Sequence, residues 1–150
     1  MNIVLTEQMF NSNHIYFIEP VVNTVMDNSQ FIKIMYSDQN IILNSVYLLL
    51  KLKITNIDQY FKKIKYVIDT NHDKMILNRI FQIEEEILEK YNCKKKKKYT
   101  ISEALSSGNI KIFPTLYTET NKKKCMFILK ISGMWENETD YGLTYKLLTT

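Results

Sequence analysis

Apolar and polar residues alternate through most of this chain, and only one long stretch repeats its apolar residues every three or four positions. The clearest alternation runs from Lys124 to Leu148. Cys125, Phe127, Leu129 and Ile131 alternate with Met126, Ile128 and Lys130, which predicts a strand with one strongly apolar face and one mixed face. A polar connection, Glu136–Asp140, leads into a second run, with Tyr141, Leu143, Tyr145 and Leu147 set against Gly142, Thr144 and Lys146. Two such runs joined by a turn-rich link predict an antiparallel hairpin. Earlier in the chain, Phe31–Tyr36 reads as a strand, Ser37–Asn40 as a turn and Ile41–Ile54 as the longest strand. In that strand Val46, Leu48, Leu50, Leu52 and Ile54 face a core, while Tyr47, Leu49, Lys51 and Lys53 face away. At about 3.3 Å per residue it would exceed about 40 Å, so a bend is expected, of the kind small closed barrels use.

The helical period belongs to Asp73–Tyr91, where Ile76, Ile80, Ile83, Ile87 and Tyr91 form a stripe widened by Leu77 and Leu88. Glu84, Glu85, Glu86 and Glu89 fall mostly off that stripe and read as a solvated face, and Asn71 or Asp73 can cap the start. Residues 56–69 fit both periods; the expectation is a short helical turn and then a strand from Lys63 to Asp69. Ile15, Phe17 and Val21 suggest an edge strand ended by Pro20, and Asp27–Ser29 a turn. Lys94–Lys98 reads as a basic loop, Ser102–Ser107 as a helical turn capped by Ser102 and stopped by Gly108, and Ile110–Phe113 as a strand ended by Pro114. Thr118–Lys124 reads as a polar loop. The order predicts a single α+β domain, a mostly antiparallel sheet or small barrel with one main helix at about residues 73–91 and an N-terminal arm in residues 1–30.

Composition narrows the chemistry. The 150 residues are 45% apolar and 24% charged, as in ordinary globular proteins. Val46–Leu50 is too short an apolar run to span a bilayer, and the first residues lack the pattern of a signal peptide, so an intracellular protein with no membrane partner is expected. Cys93 and Cys125 fit neither a disulfide framework nor a zinc motif and read as free, small core residues. His14 and His72 have no partners at triad or ligand spacing, and the three glycines form no phosphate loop. No enzyme activity, metal or cofactor is expected.

Lysine makes up 19 of the 20 basic residues, Arg79 being the other, with a net charge of +4. That bias fits translation from an A+T-rich genome and weakens any argument from lysine count alone. Position is more informative. The outer side of the long strands would carry Phe31, Lys33, Tyr47, Lys51 and Lys53, and basic segments at Lys94–Lys98 and Lys122–Lys124 flank the last sheet elements. Rings interleaved with lysines on one sheet face suit a single-stranded nucleic acid, whose bases stack while ammoniums track phosphates. The competing expectation is cross-strand pairs with a solvating rim. Trp135, the sole tryptophan, stands at a strand end and would either plug the core or serve as a platform; the plug is the expectation.

Three segments carry a family resemblance: YSDQNIILNSVYLLLKL at Tyr36–Leu52, IFQIEEEILEKY at Ile80–Tyr91 and LKISGMWENETDYGLTYKLL at Leu129–Leu148. Together they resemble small uncharacterised proteins of large double-stranded DNA viruses of eukaryotes. Some of these are similar to the phage-type single-stranded DNA-binding proteins, which are barrels of the oligonucleotide-binding fold with an inserted helix. Gly133, Trp135, Glu136, Tyr141, Gly142, Thr144, Tyr145 and Lys146 carry the likeness most distinctly. The resemblance implies a barrel; joined to the ring-and-lysine pattern, it leads to the expectation that Tyr47, Trp135 and Tyr145 would stack bases and that Lys33, Lys51, Lys53, Lys94, Lys95, Lys96, Lys97 and Lys98 would neutralise phosphates. Single-stranded DNA, or RNA in its place, would be the ligand, and viral replication proteins or a second copy would be further partners. The setting would be the host cytoplasm or a viral factory, with packaging in the virion. Two departures stand out: the chain ends Leu147-Leu148-Thr149-Thr150 without the acidic tail of the phage-type proteins, and glycine is scarce for a tightly bent barrel. The alternative from another class is a structural or interaction module of a virion or viral factory.

Overall fold

The computed structural model describes residues 4–113 and 124–149, the second segment with side chains from residue 126 onward. Along the chain run β1 (Leu5–Thr6), a 3-10 turn (Ser12–His14), β2 (Ile15–Phe17), β3 (Val21–Val22), β4 (Gln30–Ser37), β5 (Ile42–Leu43), β6 (Val46–Tyr60) and β7 (Lys63–Ile68). Then come α1 (Lys74–Tyr91), β8 (Lys96–Lys98), α2 (Thr100–Ser106), β9 (Asn109–Ile112), β10 (Lys124–Glu136) and β11 (Asp140–Thr149). The predicted α+β class and mostly antiparallel sheet are what the structure contains.

β10 is the middle of the sheet. One edge pairs with β11; the other pairs with β6 through Lys124–Ile131 and with β4 through Gly133–Glu136. β7 continues from β6, and β9 from β7. The long strand bends as its length required. Its first half pairs with β10 and its second half with β7, and the register slips between Ile54 and Asn56, a bulge that turns the strand. A second slip, between Ile131 and Gly133, lets one strand serve two partners.

The side chains sort by parity. Leu48, Leu50, Leu52, Phe127, Leu129, Ile131 and Leu143 form a buried face, closed over by Ile80, Ile83 and Ile87 of α1. Arg79 ties the N-terminal arm to the helix by donating to the backbone oxygens of Glu7 and Phe10. No helix among the described residues is long and apolar enough to cross a membrane.

Several expectations need correction. The sheet does not close into a barrel: among the described residues β9 and β11 do not pair, and a cleft of about 930 Å³ lies between them. Residues 56–60 are not a helical turn but the end of β6, joined to β7 by Phe61 and Lys62. Only the strand half of that expectation holds, because Ile57, Tyr60 and Ile64 mimic a helical period across a hairpin. The longest strand starts at Val46 rather than Ile41, after a separate two-residue strand. Only Lys94 and Lys95 of the expected basic loop are irregular, since Lys96–Lys98 pairs in parallel with β11.

The glutamates of α1 are not simply a solvated face. Glu84 is 0% exposed, accepts the backbone N–H groups of Ile101 and Ser102 and the Ser102 hydroxyl, and so holds the start of α2. Asp73 caps α1 by position, but its carboxylate accepts the Lys53 N–H instead of a helix N–H. The expected Pro114 stop, residues 118–123 of the expected polar loop and the basic pair Lys122–Lys123 lie outside the described residues, as does the Cys125 side chain, while Lys124 begins β10.

Candidate nucleic-acid interface

The open face of the sheet is assembled by register. Cross-strand partners project on the same side, so the pairs Trp135–Phe31, Trp135–Gly142 and Gly142–Lys98 line up as one row on the side away from α1. The next row joins Lys33, Gly133 and Thr144, and the one after it Tyr47, Lys130 and Lys146. Leu49, Ile128 and Leu148 follow, then Lys51 and Met126. Phe31, Tyr47, Lys98, Lys130 and Trp135 are half-buried, while Lys33, Lys51, Lys53 and Lys146 are exposed.

Two of the rings rest on glycines. A Cβ on Gly133 would lie 2.5 Å from the Phe31 ring and from the Ile32 carbonyl oxygen. A Cβ on Gly142 would lie 2.8 Å from the Trp135 indole. A side chain at Gly133 would collide with both the ring and the β4 backbone, and one at Gly142 would crowd the indole, which explains why glycine stands at each. Trp135 is therefore not a core plug: its indole is half-buried on the open face, beside Phe31.

Charge separates by face as well. Among the described residues, no carboxylate reaches ion-pair distance of Lys33, Lys51, Lys98, Lys130 or Lys146. Lys130 sits 5.7 Å over the Tyr47 ring, and Lys53 meets Asp69 at 3.7 Å.

The basic run divides between the faces. Lys96 and Lys98 project on the open side, opposite Asp140 and Gly142. Lys97 turns to the helix, at 2.8 Å from Glu85 and 2.5 Å from Glu89. Lys95 lies 3.1 Å from Glu136 and donates to the Asn137 carbonyl. Lys97 and Tyr99 donate to Glu85 and hold its carboxyl below the ordinary value, and the bonds from Lys97 to Glu85 and Glu89 push the ammonium up. Burial alone would raise Glu136, but bonds from Tyr91, Lys95 and Cys93 outweigh it and keep that carboxyl low. Lys94 is exposed just ahead of the strand.

Of the residues singled out from sequence, the structure thus brings Phe31, Lys33, Tyr47, Lys51, Lys53, Lys96, Lys98 and Trp135 to one face. Lys95 and Lys97 are structural ion pairs on the other. Tyr145 also belongs to the inner side: it is opposite Ile131 and lines the cleft between β9 and β11, and burial raises its phenol, with the Glu84 charge adding to the shift. Sequence reasoning missed Lys130 and Lys146, which flank the rings, and the turn Phe61–Lys62; the FKKIKY run at Phe61–Tyr66 was the available signal.

Among the described residues no group of three or more His, Cys, Asp or Glu side chains is placed to hold a metal ion. Comparison with protein-family models, with curated proteins and with solved structures finds no match to this chain.

Proposed function

We propose that this protein binds single-stranded nucleic acid, DNA in the first instance, across the open face of its sheet and without catalysis. The observation that carries this reading is the row Phe31–Trp135–Gly142–Lys98, in which two rings rest over glycines beside lysines that have no carboxylate partner among the described residues. A ring backed by the sheet and open on its other side is a stacking platform, worth about 1–3 kcal/mol per base and indifferent to which base it meets. Lys33, Lys130 and Lys146 stand in the neighbouring rows, where a sugar-phosphate backbone would run. The barrel implied by the family resemblance would need β9 and β11 to pair; stacking and phosphate contact need only the face.

The test is titration of a labelled oligo-dT at several salt concentrations. Binding is expected to weaken as salt rises, with a log–log slope of about 0.7 per phosphate contact on a single strand. No binding even at low salt would overturn the reading and leave the face as a protein-interaction surface.

A further inference from the structure

The β6–β7 hairpin ends in an unusual surface. Phe61 is 90% exposed at the turn, Phe113 is 77% exposed and Tyr60 is 51% exposed. Phe113 follows Ile112, whose register partner is Ile64, so it reaches the same end of the sheet as Tyr60 and Lys63. Lysines interleave with these rings: Lys62 sits 5.4 Å over Phe61, and Lys63 and Lys65 sit 5.9 Å and 6.0 Å over Tyr60. Lys111 lies opposite Lys65. Among the described residues the sole carboxylate paired there is Asp58, at 3.7 Å from Lys65. Large exposed rings clustered at one tip mark a contact surface rather than scattered apolar residues.

Register ties this tip to the open face. After the slip beyond Ile54, the outward positions of β6 are Asn56, Asp58 and Tyr60, opposite Val67, Lys65 and Lys63. The outward side of one continuous strand thus leads from Tyr47 past Lys51 and Lys53 to the tip. Its length, about 13 residues at about 3.3 Å each, matches about a dozen stacked nucleotides at about 3.4 Å each. We infer that the tip is a second stacking point on the same nucleic-acid track, with Phe61 and Phe113 receiving bases beyond those held at Phe31 and Trp135. This rests on the proposed function above. Continuity with the lysine-lined face favours a nucleic acid over an anionic lipid surface, which would engage the tip alone.

The experiment compares oligo-dT of about 6 and about 16 nucleotides, within the range of known single-domain site sizes. Wild type is expected to bind the longer strand at least about tenfold more tightly, the worth of one stacked base. The double variant Phe61→Ser, Phe113→Ser is expected to keep its melting temperature and short-strand affinity and to lose that gain. If wild type binds both lengths equally, or the variant keeps the full gain, the second stacking point is refuted while the proposed function stands. If wild type binds neither, both fall. Sedimentation with phosphatidylserine-containing vesicles supplies the remaining arm: loss of vesicle binding by the variant, with oligonucleotide binding unchanged, would make the tip a membrane contact and overturn the inference.

Discussion

Lys95 and Lys97 each meet a carboxylate within 3.1 Å on the helix side of the sheet, whereas their sequence neighbours Lys96 and Lys98 face the open side and meet none among the described residues. The same contrast extends across the sheet. Its inner side carries an apolar core, and there Glu84, Glu85 and Glu89 of α1 and Glu136 of β10 are each satisfied by a lysine, a hydroxyl or a backbone N–H. Its outer face carries rings, aliphatic side chains and lysines that, Lys53 and Lys65 apart, have no acidic partner among the described residues. A run of identical residues therefore does two different things. Strand parity decides which lysine stabilises the fold and which remains free to meet an external anion.

The largest expected effect lies on the inner face. Ile87 is fully buried, and Ile87→Ala should cost about 2–5 kcal/mol in urea unfolding while leaving oligo-dT affinity of the folded protein unchanged. A change of only a few tenths would mean that α1 does not complete the core.

Next, the two lysine pairs should separate cleanly. Lys95→Gln with Lys97→Gln should reduce stability by up to about 1 kcal/mol per lysine, as for partly exposed ion pairs, and leave the salt slope of binding unchanged. Lys96→Gln with Lys98→Gln should leave stability unchanged and lower the slope by about 0.7 for each phosphate no longer neutralised. The reverse outcome would break the division between the faces.

The smallest effect is one of pH. The carboxyls of Glu85 and Glu136 are held low in the folded state, so their contribution is fully present above the ordinary glutamate value of 4.5. It is lost as pH falls through their depressed folded values, so stability should decline on acidification below about pH 4.5. Denaturation curves across that window should show a shallower decline in the Lys95→Gln, Lys97→Gln variant than in wild type.

Much of the fold was legible because burial imposes period. The helix at Lys74–Tyr91, the strand at Gln30–Ser37 and the hairpin of β10 and β11 follow directly from apolar spacing. Three features were not legible, for separate physical reasons. The bulge after Ile54 shifts parity within β6, so simple alternation fails there. Glu84 is an acidic residue yet buried, and the N–H groups that satisfy it belong to a helix whose nearest donor is 17 residues away. Trp135 lies on the open face because Gly142, on the neighbouring strand, leaves room for its ring, a relation that depends on register. The site was legible as a composition of rings and lysines. Its division into an open row and a set of internal ion pairs depended on the parallel pairing of β8 with β11, which the sequence run KKKKK conceals.

The central claim is that bases stack on the open-face rings, and Trp135, the only tryptophan, reports on it directly. Titrating the protein with oligo-dT at low salt while following tryptophan emission should show strong, saturable quenching that reverses as salt is added. Saturable binding by a labelled strand with no change in tryptophan emission would contradict the account and move the nucleic acid to another surface.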